Sequence, residues 1–210
     1  VADAGSSIAL DGNYTLAGTL SVGPGTTATL RGTWANTGSI AINAGTLQLD
    51  GSFSLANLGA FSNSGGSVSI LGTLDNSAGL TLNAATGSWT LAGGTINGGT
   101  LAQTQGARLL FAPNAIGTLN NVTLTSELFV SGTGARARIL GTTSAPAWRV
   151  SGSSASLGFA PGRVLNEPVF AEGVGSKGLE SESSGTLTIG PACTVRSTDA
   201  SACAGVALSR

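Results

Sequence analysis

Large apolar residues recur along this chain in short alternating runs, and the runs are separated by Gly, Asn and Asp. One phrase returns: Gly, a small polar residue, then a large apolar one. It reads Gly12-Asn13-Tyr14, Gly32-Thr33-Trp34, Gly51-Ser52-Phe53, Gly72-Thr73-Leu74, Gly94-Thr95-Ile96 and Gly117-Thr118-Leu119. Successive starts lie about 20 residues apart, and the spacing lengthens slightly along the chain. A seventh start, Gly141-Thr142-Thr143, follows at a similar distance and lacks the apolar member. Within the unit that begins at Gly32, Thr33-Trp34, Ser39-Ile40-Ala41-Ile42 and Thr46-Leu47-Gln48-Leu49 read as strands with a period of two. That period sends alternate side chains to opposite faces. Asn36-Thr37-Gly38, Asn43-Ala44-Gly45 and Asp50-Gly51 read as the corners between strands, since Gly and Asn tolerate positive φ.

Repeats of this length mean stacked units, each covering the apolar side of its neighbour. The pattern predicts an all-β parallel β-helix (β-solenoid) of about 20 residues per coil with three short strands per coil. A competing, longer spacing links Gly-Thr-Leu at 18–20, 45–47, 72–74 and 99–101. It reads as one coil plus one side. Stacking predicts inward columns: Tyr14, Trp34, Phe53, Leu74, Ile96 and Leu119 in one, Leu20, Ile40, Phe61, Leu80 and Leu101 in a second, and Leu30, Leu49, Ile70, Leu91 and Phe111 in a third. Asn36, Asn76 and Asn121 share one phase, four residues after the unit glycine, and read as a corner ladder of stacked amides.

The phrase fades after residue 140. Residues 1–140 are expected to form regular coils, 141–184 irregular coils or an inserted loop, and 185–210 a final coil and cap. The middle stretch holds Pro146, Pro161 and Pro168 together with Arg149, Arg163, Glu167, Glu172, Lys177, Glu180 and Glu182. Cys193 and Cys203, the only two cysteines, are expected to close a short loop as a disulfide that fastens the last coil.

Charge and composition then narrow the function classes. Charged residues are 9% of the chain and net charge is −1, so nucleic acid and anionic membrane surfaces have no electrostatic footing as partners. No run of about 18 apolar residues is present to span a membrane. The chain has no histidine, which removes the Ser-His-Asp and Cys-His arrangements and the commonest metal ligand. No catalytic residue, metal site or cofactor is expected. Asp11, Asp50 and Asp75 read as turn formers, and Glu180 and Glu182 as a solvated strand face. Arg136, Arg138, Arg149 and Arg163 read as charges guarding strand edges, with a small basic patch as the other reading. Trp148 lies outside the pattern and is expected to be packed rather than displayed.

The phrases Gly-Thr-Trp-Ala-Asn-Thr-Gly (32–38), Gly-Thr-Leu-Asp-Asn-Ser-Ala-Gly (72–79) and Gly-Ser-Trp-Thr-Leu-Ala-Gly-Gly-Thr-Ile-Asn-Gly-Gly-Thr (87–100) resemble the repeats of large bacterial surface proteins of the filamentous-haemagglutinin-like and autotransporter-adhesin kinds. The likeness covers roughly residues 5–140. It implies a right-handed parallel β-helix: a secreted, non-enzymatic structural or adhesive β-solenoid at the bacterial cell surface, with a host or matrix surface as partner. Open coil ends add end-to-end self-association into a fibre as an expectation. A polysaccharide-acting β-helix enzyme and a glycan- or ice-binding module stand as alternatives.

Overall fold

The structure, a computed structural model, describes residues 5–197 and the backbone of the strand Val206–Ser209. The chain divides into two compact units, Val1–Leu109 and Leu110–Arg210. Both are β-solenoids built from parallel strands.

In the first unit each coil runs through three walls. The first wall stacks Ser7–Leu10, Thr27–Leu30, Thr46–Leu49, Ser67–Ile70 and Trp89–Leu91 in parallel register, so that Leu10, Leu30, Leu49, Ile70 and Leu91 follow one another. The second contains Asn13–Leu16 paired with Thr33–Asn36, then Ser52–Ser54, Thr73–Asp75 and Thr95–Asn97. The third contains Thr19–Val22, Ser39–Asn43 and Ala60–Ser64, then Leu80–Leu82 with Thr100–Gln103. Every pairing joins a strand to the one a single coil later, which excludes the longer Gly-Thr-Leu spacing as the repeat. The strands are short because corners interrupt them every few residues, and many of these corners use a residue of positive φ, such as Gly12, Gly32, Ala44 and Gly51.

The expected columns form. Tyr14 lies in register with Trp34, Phe53 with Leu74 and Ile96, Leu20 with Ile40 and Phe61, and Leu30 with Leu49, Ile70 and Leu91. Trp34, Phe53, Leu74, Ile96, Ile40, Leu49, Ile70 and Leu91 are buried, while Tyr14, in the first coil, is half-buried. Covering by a neighbouring coil is what buries them: Ile8 is 45% exposed, whereas Ala28, its partner one coil on, is 2% exposed. Trp34 and Phe53 stack ring on ring at 5.5 Å.

The returning glycine has a steric cause. A Cβ on Gly51 would meet the Gly32 carbonyl oxygen at 2.3 Å, and one on Gly72 would meet that of Gly51 at 2.1 Å. The coils touch backbone to backbone at this corner, so only a residue without a side chain lets them close.

One wall is interrupted. After Ser52–Ser54, a single 3-10 turn at Leu55–Leu58 replaces the continuation of the strand. Asn57 Nδ2 donates to the Trp34 carbonyl at 2.7 Å, and Asn36 Nδ2 donates to the Leu58 carbonyl at 2.7 Å. Two amide side chains thus do what the missing ladder would do. Asn57 Oδ1 also accepts from the Ser54 N–H at 2.7 Å, which holds the start of the turn.

In the second unit the strands Ile116–Asn120, Arg136–Leu140, Ala155–Phe159, Lys177–Ser181 and Val206–Ser209 stack in parallel. Leu128–Val130, Trp148–Val150, Val169–Ala171 and Val195–Ser197 form another wall, and Val164–Leu165 pairs with Thr188–Ile189. Leu119 is buried in register with Ile139 and Phe159.

The expectation of irregular coils or an inserted loop at 141–184 is corrected here. The register runs unbroken through that stretch. On one wall Arg136 pairs with Ser156 and Ser156 with Gly178; on another Leu128 pairs with Trp148 and Trp148 with Val169. The prolines sit in corners, where no ladder N–H is required. Ala135, Ala137, Ala145, Ala147 and Ala155 fill inward positions that hold large residues elsewhere. Trp148 compensates for them: it is fully buried and meets Phe159 edge to face at 5.4 Å. Lys177 is the odd inward residue. Its ammonium donates to the carbonyls of Val174 and Gly175 at 2.7 and 2.9 Å.

Candidate functional site

Because the interiors are filled, function falls to the outward positions, and the two units dress them differently. In the first unit the described charged residues are Asp11, Asp50, Asp75, Arg31 and Arg108, and the outward rows are hydroxyls and amides. Thr29 donates to Gln48 at 2.9 Å across one coil step, and Thr19 and Ser39 hydroxyls lie 3.0 Å apart. Asp11 and Asp50 each accept the next glycine's N–H at 2.7 Å, so both act in corners as their sequence suggested.

The outward residues of the second wall make a groove of about 270 Å³ beside the 3-10 turn, lined by Ser52, Phe53, Ser54, Asn57, Thr73, Asp75 and Asn97. The register sets Ser52 next to Thr73, and Ser54 next to Asp75 and then Asn97. One Asp75 oxygen accepts from the Ser77 N–H at 3.0 Å. The sequence signal was present in part: Ser54, Asp75 and Asn97 share one phase, three residues after the unit glycine. The turn that shelters them was not foreseen.

Charge concentrates in the second unit, where it is paired. Arg136 binds Glu180 and, at 2.9 Å, Glu182, and Arg138 binds the same Glu182 at 3.0 Å. Burial works against the Arg136 cation, but the hydrogen bonds it donates to Glu182 and Glu180 outweigh that and hold the guanidinium above its ordinary value. Arg149 binds Glu127 at 2.5 Å and also Glu172, and its guanidinium lies 4.3 Å from the Phe170 ring centre and 5.7 Å from that of Phe129. The Glu127 hydrogen bond is the main force raising the Arg149 pKa; burial opposes it and Glu172 adds to it. Arg163 binds Glu167 at 2.7 Å and the Thr143 carbonyl at 2.6 Å. The reading of Glu180 and Glu182 as a solvated face is therefore corrected, and so is the basic-patch reading. The partners sit one coil apart at Arg149, two coils apart at Arg136 and Arg138, and four residues apart at Arg163, and no local pattern reveals the longer pairings.

The other expected site residues fall as follows. Asn36 and Asn76 are buried, but they do not bond to one another. Asn76 Nδ2 donates to the carbonyls of Gly98 and Thr100 at 2.9 and 3.1 Å, so each amide staples its coil to the backbone of the next. Asn121 is exposed with φ +56°, and its Oδ1 accepts from the Thr142 N–H at 3.0 Å. The stacked-amide ladder is thus replaced by side-chain-to-backbone bonds. Cys193 stands as a thiol that donates to the Glu167 carbonyl at 3.2 Å; Cys203 lies outside the described residues. Burial, with Glu167 assisting, pushes the Cys193 thiol up from its usual value. Among the described residues no group of three or more His, Cys, Asp or Glu stands together to hold a metal, and no helix is long and apolar enough to cross a membrane.

No protein-family model matches the chain, and neither a curated protein nor a solved structure does.

Proposed function

We propose that the chain is a non-enzymatic extracellular β-solenoid, a structural or adhesive surface module of the kind its repeats resemble among bacterial adhesins. The observation that carries this reading is the use made of the acidic side chains. Glu127, Glu167, Glu172, Glu180 and Glu182 are each engaged by an arginine, which ties up the groups that acid–base work on a polysaccharide would need. What is left on the outside of the first unit is a periodic surface of hydroxyls and amides with a few scattered charges, suited to contact rather than chemistry. End-to-end association belongs to the same reading. The strands Ser7–Leu10, Asn13–Leu16 and Thr19–Val22 contain neither a charge nor a proline, the usual guards against pairing with a further strand. A Cys193–Cys203 disulfide fits an oxidising exterior.

Beads coated with the chain, passed over matrix-coated and host-cell surfaces, test the adhesive role, and incubation with uronate-rich and neutral glycans, with and without calcium, tests the enzymatic alternative. The expected result is retention without cleavage. Cleavage that disappears in Glu182→Gln would overturn the proposal. Intact mass after alkylation without reductant addresses the disulfide, where two added labels exclude it.

A further inference from the structure

On the second wall of the first unit the groove lies where the 3-10 turn Leu55–Leu58 follows Ser52–Ser54, beside the rows Ser52–Thr73 and Ser54–Asp75. Its rim is fixed in place. Asn57 is bound through Nδ2 to the Trp34 carbonyl and through Oδ1 to Ser54, so the shape exists before any ligand arrives. Its volume, about 270 Å³, lies below the range of drug-sized pockets and suits one small ring.

The polar groups that line it are also available. The Ser52 and Thr73 hydroxyls have no hydrogen-bond partner among the described residues, and Asp75 spends one oxygen on Ser77 and keeps the other free. Neighbouring groups are spaced about 4.8 Å along the stack and about 6.6 Å along a strand. Two hydroxyls and a carboxylate so spaced can each reach a different hydroxyl of one pyranose ring. The carboxylate supplies the stronger, charge-assisted contact, because it accepts from sugar O–H donors. Charge selects the class of sugar. The lining contains one carboxylate and no lysine or arginine, so uronates, sulfated and sialylated sugars meet repulsion with no compensating cation. Phe53, between Ser52 and Ser54, turns its ring inward onto Trp34 and fixes the strand that carries the two outward hydroxyls.

We infer that this groove is a binding site for a neutral saccharide residue, with Asp75, Thr73 and Ser52 as its hydroxyl-recognising groups. The inference deepens the surface-contact role proposed above by naming what one contact point recognises, and it rests on that reading only for its biological use.

The test is a titration of the full chain with glucose, galactose, mannose and N-acetylglucosamine, followed by backbone amide chemical shifts, in the parent chain and in Asp75→Asn and Thr73→Val. Asn keeps the acceptor for the Ser77 N–H, and Val keeps the β-branched shape of the strand, so both variants are expected to retain the fold. At least one sugar is expected to give saturable shifts at residues 52–54 and 73–75, with the apparent affinity falling about ten-fold in each variant, as loss of one such hydrogen bond predicts. The inference is overturned by an absence of saturable shifts there from all four sugars at about 100 mM. It is equally overturned by shifts that neither substitution changes, or by a stronger response to galacturonate than to galactose. The bead assay separates the two claims. Variant-sensitive sugar binding without bead retention supports the site and removes only the adhesive reading. Sugar binding lost in both variants with retention intact supports the site and locates adhesion elsewhere.

Discussion

At Gly51 two demands meet. Its φ is +73°, and a Cβ would stand 2.3 Å from the carbonyl oxygen of Gly32, a backbone atom that cannot swing away. Gly51→Ala is therefore expected to destabilise the first unit by at least about 2 kcal/mol, since strain and a backbone clash add; urea unfolding followed by tryptophan fluorescence measures it. Tyr14 reports on the other end of the scale of packing. It is the chain's one tyrosine, half-buried in the first coil, with its hydroxyl donating to the Leu10 carbonyl at 3.1 Å. Burial raises its pKa above 10.0, a hydrogen bond with the Arg31 backbone opposes the rise, and the charge of Asp11 adds to it. The fold thus favours the neutral phenol. That contribution is complete below pH 10.0 and is lost as pH climbs through the raised value. Absorbance at the phenolate band, titrated in the native chain, is expected to show a midpoint above 10.0. A midpoint at or below that of free tyrosine would mean the first coil leaves Tyr14 uncovered.

Among the elements, the 3-10 turn at Leu55–Leu58 carries a disproportionate share of bonding for four residues. Asn57 alone satisfies the Trp34 carbonyl and the Ser54 N–H. Asn57→Ala strands both, and is expected to cost about 1–3 kcal/mol and to speed amide exchange at Ser54 ahead of its neighbours. The strands around this turn were legible because they alternate cleanly and because Gly and Asn mark their ends. The turn was not. Leu55-Ala56-Asn57-Leu58 places leucines three apart, a helical spacing too short to stand out in a chain full of Leu and Asn. The same limit hid the true work of Asn36 and Asn76. Their shared phase was visible in the sequence, but the carbonyls they reach belong to the next coil.

Over the whole chain the contrast is one of charge. The described part of the second unit holds Glu127, Glu167, Glu172, Glu180, Glu182, five arginines and Lys177, whereas that of the first unit holds five charged residues in all. The Arg136–Glu182 and Arg138–Glu182 pairs are partly shielded, with Glu182 14% exposed. Raising salt to about 1 M shortens the screening length to about 3 Å. It is expected to lower hydrogen-exchange protection at Arg136–Leu140 and Lys177–Ser181 while leaving Thr27–Leu30 and Thr46–Leu49 as they were. Equal responses in both sets would show that the pairs contribute nothing to local stability. This contrast also explains where the repeat became illegible in the sequence. Past residue 140 alanines and a lysine take some of the inward stations between Val150, Leu157, Phe159 and Leu179, and charges take outward ones, so the greasy–polar rhythm flattens although the coil persists.

The bends tolerate what the walls do not. Val164 pairs with Thr188 and Val169 with Val195, and both of these coils are several residues longer than the one that joins Ile116 to Arg136. The surplus is absorbed at the turns, and the rungs stay aligned. A foreign peptide spliced into such a bend would be carried outward without disturbing the rung above or below, and choosing the rung would choose its height in steps of about 4.8 Å. The second unit is in that sense a display rack whose pegs can be lengthened one at a time.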